Sequence, residues 1–143
     1  MNNENPSIIS HISIGTNNFE AAVNFYDKVL STLGYKQLEK YPGAAAYGKG
    51  FPEFWVQTPI DGKPATVGNG SHIGFIANSK EDVRAFHEVA LSNGGIDDGT
   101  PGTRPDYGEA YYGCFVRDLD GNKIEATFWN EDVSESEKGS GSN

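Results

Sequence analysis

The run SHISIGTNNFEAAVNFY, opening at Ser10, returns as SHIGFIANSKEDVRAFH at Ser71, and this internal repeat limits what the chain can fold into. A shift of 61 residues over 10–34 matches Ser10 to Ser71, His11 to His72, Ile12 to Ile73, Asn17 to Asn78 and Glu20 to Glu81. It also matches Phe25 to Phe86, Leu30 to Leu91, Ser31 to Ser92 and Gly34 to Gly95, nine identities in 25 ungapped positions. Average composition predicts roughly one or two. One unit covers about half the chain, so the fold is two similar modules sharing 143 residues.

Each copy opens with alternating polar and apolar residues, the pattern of a strand half-buried on one face. A helix follows in the first copy, with Phe19, Ala22, Val23, Tyr26, Val29, Leu30 and Leu33 at three-to-four spacing. Asn17 stands three before Glu20 as a cap-and-reply pair, and Gly34 suits the left-handed position beyond the helix end. The second copy repeats this with a strand over 71–77, Asn78 three before Glu81, a helix to about Asn93, and Gly94-Gly95. Further strands are expected at 35–40, 44–47 and 54–58, then near Ile96 and over 111–117 and 123–129. The turn DLDGN joins the last two, since Asp-Gly accepts the positive φ that tight hairpins need. Each half therefore reads βαβββ, an α+β class, with 59–70 and 97–110 as Gly- and Pro-rich loops. The organisation is a lead-in over 1–7, modules at 8–58 and 71–130 forming one domain over 8–130, and a disordered acidic tail over 131–143.

Strand parity then sorts the polar residues. Successive strand residues point to opposite faces. Ile12 and Ile14 seek the helix, which turns His11 and Ser13 away; Ile73 and Phe75 do the same for His72 and Gly74. In the last strand Ile124, Ala126 and Phe128 leave Lys123, Glu125 and Thr127 on the other side. His11, His72 and Glu125 thus share the helix-free side, with Ser13 and Gly74 small enough to leave room. Two imidazoles and a carboxylate form a common divalent-metal set with positions left for water or substrate. The other reading is that each is an ordinary strand histidine with a hydrogen-bonded ring. His87, on the second helix, reads as a surface or helix-packing residue.

A net charge of −9 without a Lys/Arg cluster would repel a nucleic-acid backbone, so the expected partner is a small molecule. No apolar run approaches membrane-spanning length, and MNNENPS lacks the parts of a signal peptide. The single cysteine, Cys114, forms no internal disulfide and fits a reducing cytoplasm; without a neighbouring base it reads as a buried small hydrophobe.

These features resemble the vicinal oxygen chelate superfamily, which includes glyoxalase I, extradiol dioxygenases, fosfomycin-resistance proteins and bleomycin-resistance proteins. The carriers are His11 on an opening strand, NFYDKVLSTLGY (24–35), SHIGF (71–75) and RDLDGNKIE (117–125), with Leu119 where a proline is usual. PGTRPDY and YYGCFVRD resemble short bacterial glyoxalase-like proteins in particular. The resemblance implies paired βαβββ modules whose sheets curl around a metal-centred cavity. It implies one divalent metal (Mn, Fe, Ni or Zn) held by His11, His72 and Glu125, and module pairing either within one chain or across a homodimer. Glyoxalase I adds a fourth ligand, a glutamate on the last strand of its first module; here Trp55 falls opposite Glu125, and an indole N–H cannot ligate. The expected site is closer to the three-ligand sets of fosfomycin-resistance proteins and extradiol dioxygenases.

Trp55 is either a barrel-filling aromatic or a substrate-stacking wall. Gln57 and Glu53 share its parity. Arg104, Tyr107, Tyr111 and Tyr112 lie in or beside the second loop, where an arginine suits a substrate carboxylate or phosphonate and a tyrosine a developing oxyanion. Arg104 and Tyr107 are the expected catalytic residues, and Trp55, Gln57 and Tyr112 the expected substrate contacts. The function expected is a metal-dependent, glyoxalase-like lyase, isomerase or thiol transferase. The alternative is a bleomycin-resistance-type binding protein; an extradiol dioxygenase, lacking a well-placed second-shell histidine, comes third.

Overall fold

The computed structural model describes residues 6–130; the acidic tail expected over 131–143 lies outside the described residues. The chain runs β1 (Ile12–Gly15), α1 (Phe19–Ser31), β2 (Lys36–Tyr41), β3 (Ala44–Gly48) and β4 (Phe54–Gln57). It continues with β5 (Ile73–Ile76), α2 (Lys80–Ser92), β6 (Ile96–Gly102), a single 3-10 turn at Pro105–Tyr107, β7 (Tyr111–Arg117) and β8 (Lys123–Trp129). The strands form two four-stranded mixed sheets, ordered β1-β4-β3-β2 and β5-β8-β7-β6. This is the tandem βαβββ architecture read from the repeat. The shift of 61 carries β1 onto β5 and α1 onto α2 end for end. No helix among the described residues is long and apolar enough to cross a membrane.

Three local expectations are corrected. The helix caps are Asn18, whose side chain accepts from the Ala21 N–H, and Ser79, which accepts from Asp82, rather than Asn17 and Asn78. Asn17 is used elsewhere: its amide side chain exchanges two hydrogen bonds with the Ala65 backbone, and its N–H donates to Asp120 at 2.8 Å. The segment 97–110 is only partly a loop. Residues 96–102 pair with β7 through two irregularities, which accommodate the Gly and Pro that argued against a strand. The opening strands begin at Ile12 and Ile73, so His11 and His72 stand immediately before them.

One hydrophobic core joins the modules. Ala22, Val23, Tyr26, Val29 and Leu30 of α1 are buried as the spacing predicts, and Phe25, outside that stripe, is fully buried too. A helix covered on a second side by a neighbour requires this, and α1 packs on α2. Aromatic rings bridge the sheets: Phe54 of β4 meets Tyr26 and Phe75 of β5 edge-on, each at 5.0 Å, and Phe75 meets Phe86 of α2 at 6.3 Å. Tyr35 adds a hydrogen bond to the Ile76 carbonyl at 2.5 Å.

The DLDGN turn acts as a polar lock between modules. Asp118 accepts from the Tyr26 hydroxyl at 2.6 Å, from the N–H groups of Asp120 and Asn122, and from the Asn122 amide. The same Asn122 amide donates to the Gly15 carbonyl at 3.2 Å. Burial is the main cause that raises the Asp118 pKa above its ordinary value, with these donors pulling the other way. A raised folded-state pKa means the folded chain binds this proton more tightly than the unfolded chain. The Asp118 contribution therefore falls as pH rises from the ordinary carboxylate value through the raised one, and is constant above it. Tyr26→Phe removes a donor that favours the charged form. It is expected to cost about 1.5–3 kcal/mol at neutral pH and less near pH 3, below the ordinary carboxylate value, where the carboxyl carries its proton. Urea unfolding of both proteins at the two pH values checks the difference.

Candidate metal centre and its surroundings

Sheet register places the central residues. In the first sheet Ile12 pairs with Phe54 and Ser13 with Trp55; in the second, Ile73 pairs with Ile124 and Gly74 with Glu125. Trp55 and Glu125 are therefore structurally equivalent. His72 reaches across β5, and its Nε2 lies 3.1 Å from Glu125 Oε1. The other carboxylate oxygen, Oε2, accepts from the Tyr111 hydroxyl at 2.5 Å.

Tyr111 gets there because of Gly113. Tyr111, Gly113 and Phe115 alternate down one face of β7, and Phe115 lies directly across from Glu125. A Cβ at Gly113 would collide with the Tyr111 hydroxyl and stand 2.6 Å from its Cζ, so only glycine lets the phenol lie along the sheet. Burial first, then the hydrogen bond and charge of Glu125, raise the Tyr111 pKa well above the usual phenol value, so Tyr111 is a donor throughout the neutral range. Tyr107, half-exposed, packs edge-on against the Tyr111 ring at 4.9 Å. Trp129 packs on it at 5.2 Å.

The donor set fits a metal in part. Two ligand atoms bonded to one cation at about 2.1 Å and near right angles stand about 3 Å apart. The His72–Glu125 separation of 3.1 Å meets that, and Tyr111 occupies the second oxygen as an outer-shell partner would. Gly74 keeps the space beside Glu125 clear, since a Cβ there would stand 3.2 Å from Oε1. His11, the third expected ligand, pairs with the Ser10 hydroxyl at 3.0 Å. Among the described residues no group of three His, Cys, Asp or Glu side chains is assembled for a metal.

The remaining expected residues divide by face. Trp55 lies between Ser13 and Ala46 on neighbouring strands, its ring parallel to that of Tyr41 within 9° at 6.4 Å; Gln57 follows two residues on. Arg104 donates to the carbonyls of Thr100 and Thr103 and lies 5.9 Å from the Phe115 ring. Tyr112, expected as a substrate contact, turns to α2 instead: its hydroxyl accepts from Arg84 at 3.1 Å, on the side opposite Tyr111. His87 is held by Asp97 at 2.8 Å, as a helix-packing residue. Cys114 is buried against Val83, and burial pushes its thiol up to about 12, so it is no nucleophile. Sequence reasoning gave little weight to Tyr111 and none to Gly113 or Phe115. Their shared parity in the 111–117 strand was the available signal.

A cavity of about 820 Å³ runs along the seam between β1 and β5, lined by Ile12, Ile73, Phe54 and Phe75 with His72 and Gly74. Both strands are sheet edges, so this seam is where the modules meet without pairing.

Comparison with known proteins agrees with this construction. Residues 8–126 match the model of the Glyoxalase/Bleomycin resistance protein/Dioxygenase superfamily. A glyoxalase/bleomycin resistance protein from Albidiferax ferrireducens T118 is 40% identical, with TM-score 0.77, over 85% of this chain and 98% of that one. The lactoylglutathione lyase from Agrobacterium tumefaciens is 20% identical, with TM-score 0.62, over 87% of this chain and 96% of that one, and shares the fold. None of the curated proteins matches the chain. With most of its length matched and both modules in place, the chain belongs to the Glyoxalase/Bleomycin resistance protein/Dioxygenase superfamily.

Proposed function

We propose that this chain is a metal-dependent, glyoxalase-like enzyme of the lyase, isomerase or thiol-transferase type, working as a homodimer on a small oxygen-bearing substrate. The observation that supports it is the His72–Glu125 pair at ligand spacing, with Tyr111 holding the free carboxylate oxygen. One divalent cation (Mn, Fe, Ni or Zn) there would supply Lewis-acid stabilisation of charge developing on substrate oxygens. Tyr111 fixes the Glu125 rotamer; Arg104 and Tyr107, beside it, orient the substrate and shield the centre from water. An extradiol dioxygenase is disfavoured because His87, the remaining histidine, is held by Asp97 beside α2.

The way the modules share their core supports the homodimer. Both helices are spent on one core, so the opposite faces of the sheets carry exposed apolar groups: Ile76, Tyr41 and Trp129 are half or more exposed. A second copy laid against this face would cover them and bring its His11 toward His72 and Glu125. Mixing His11→Ala with His72→Ala subunits tests this. Each pure variant is expected to hold no metal, whereas the mixed dimer regains about one site per two chains. Failure of the mixture to regain metal contradicts the shared site.

One observation favours the second reading, a bleomycin-resistance-type binder without catalysis. Trp55 takes the position in module one that Glu125 takes in module two, and with Tyr41 it forms an aromatic wall. Quenching of Trp55 fluorescence by a planar cationic ligand, unaffected by metal chelation, would favour that reading.

A further inference from the structure

The repeat that arranges the fold also duplicates a latch. Asn17 grips the linker between the modules: its Nδ2 donates to the Ala65 carbonyl at 3.1 Å, and its Oδ1 accepts from the Ala65 N–H at 2.7 Å. One amide side chain thus takes both backbone groups of one residue and fixes the linker beside β1. Gly15 leaves the room, since a Cβ there would stand 2.9 Å from the Ala65 Cβ. The linker held in this way walls a cavity of about 330 Å³, with Thr66, Val67 and Ser71 on its own side and Asn122 and Lys123 among the residues facing them.

The shift of 61 carries Asn17 to Asn78 and takes Ala65 back to position 4, so the counterpart of the linker is the segment leading into β1. The counterpart cavity is the larger one at the seam, walled by residues 6–10 and by Asn78. Because Trp55 is equivalent to Glu125, its Glu53 stands where the smaller cavity has Lys123. Here the wall stands off. Ile8 is 98% and Ile9 65% exposed, and among the described residues Asn78 holds no main chain as Asn17 does. The two halves differ in a matching way. The linker half carries Gly15, Asn69 and Gly70; at the same positions the arm half carries Ile76, Ile8 and Ile9, all exposed. Close polar approach in one half is replaced by apolar surface on both partners in the other, and burying that surface favours closure.

We propose that the segment before β1 is a second strap, which closes over the seam cavity of its own chain, with Ile8 and Ile9 against Ile76 and with Asn78 holding the main chain near position 4. The floor it covers is apolar, formed by Ile12, Leu30, Phe54, Ile73 and Phe75. The same cavity reaches His72 and Gly74, so closure shuts one approach to that pair of positions. The strap stands on the repeat and the cavity, and does not depend on a metal being bound.

The test places single cysteines in the full chain and follows their alkylation by iodoacetamide. Cys114 gives a silent background, being buried with its thiol pushed up to about 12. Ile8→Cys is expected to react about tenfold faster when Asn78→Ala removes the two latch bonds, and Ile9→Cys to follow the same direction. Ile60→Cys, fully exposed on the linker, is expected to react at one rate with or without Asn78→Ala. Equal rates for Ile8→Cys in the two backgrounds overturn the strap. A rise that Ile60→Cys shares reports loosening of the whole fold and overturns it too. Closure within one chain makes the protection independent of protein concentration; protection that grows with concentration assigns the cavity to the arm of a second copy and overturns the proposal as stated.

Discussion

Phe54→Ala is expected to remove about 3–5 kcal/mol of stability and to loosen both modules together. Phe54 sits on the last strand of the first module at 3% exposure, in edge contact with Tyr26 and Phe75, and 6.4 Å from Tyr47. From Phe75 to Phe86 the packing continues onto α2. Truncation to alanine loses the transfer energy of the ring, leaves a cavity its rigid neighbours cannot fill, and removes the edge-to-face contacts. Because the lost contacts bridge the modules, far-UV circular dichroism and tryptophan fluorescence should report one coincident urea transition in wild type, displaced as a unit in the variant. Two separated transitions would show that the modules fold independently and that the shared core is not what holds them.

Gly113→Ala is expected to cost about 1–3 kcal/mol or somewhat more and to disturb the candidate metal centre at the same time. The added methyl meets the Tyr111 hydroxyl and ring on one side and the Ala126 carbonyl, 2.8 Å away, on the other. The carbonyl belongs to a paired strand and cannot retreat, so Tyr111 must swing off the sheet. That leaves Glu125 Oε2 without its donor and the phenol without the Glu125 carboxylate. Tyr111→Phe isolates the second part, since it removes the hydrogen bond without the clash. If the mechanism holds, Gly113→Ala and Tyr111→Ala are strongly non-additive, because the double variant has no phenol to displace. Additive effects in urea unfolding would place the cost of Gly113→Ala elsewhere.

The repeat made half of this fold legible. The shift of 61 carries strand onto strand and helix onto helix, because both copies use the same apolar spacing against the same kind of sheet. Parity went further: it put His72 and Glu125 on one face, where they touch, and matched Trp55 to Glu125, which the strand registers bear out. What it left open was tertiary. Asn17 rather than Asn18 looked like the cap because nothing local shows that Asn17 is engaged by Ala65 and Asp120, 48 and 103 residues away. Tyr112 looked as available as Tyr111, since neighbouring tyrosines differ only in which face they take. Phe25 and Phe86, identical in the repeat and off the sheet-facing stripe, carried the clue that the two helices share one core. His11 is not assembled with His72 and Glu125 among the described residues.

The central claim is that His72 and Glu125 are metal ligands rather than an ordinary ion pair. Elemental analysis of gently purified, untagged protein tests it most directly, with wild type beside His72→Ala and Glu125→Ala. The account predicts about one divalent metal per chain in wild type, with both variants empty. Wild type without metal after reloading with Mn, Fe, Ni and Zn, or variants that keep it, would contradict the account and leave the pair as a hydrogen-bonded strut between β5 and β8.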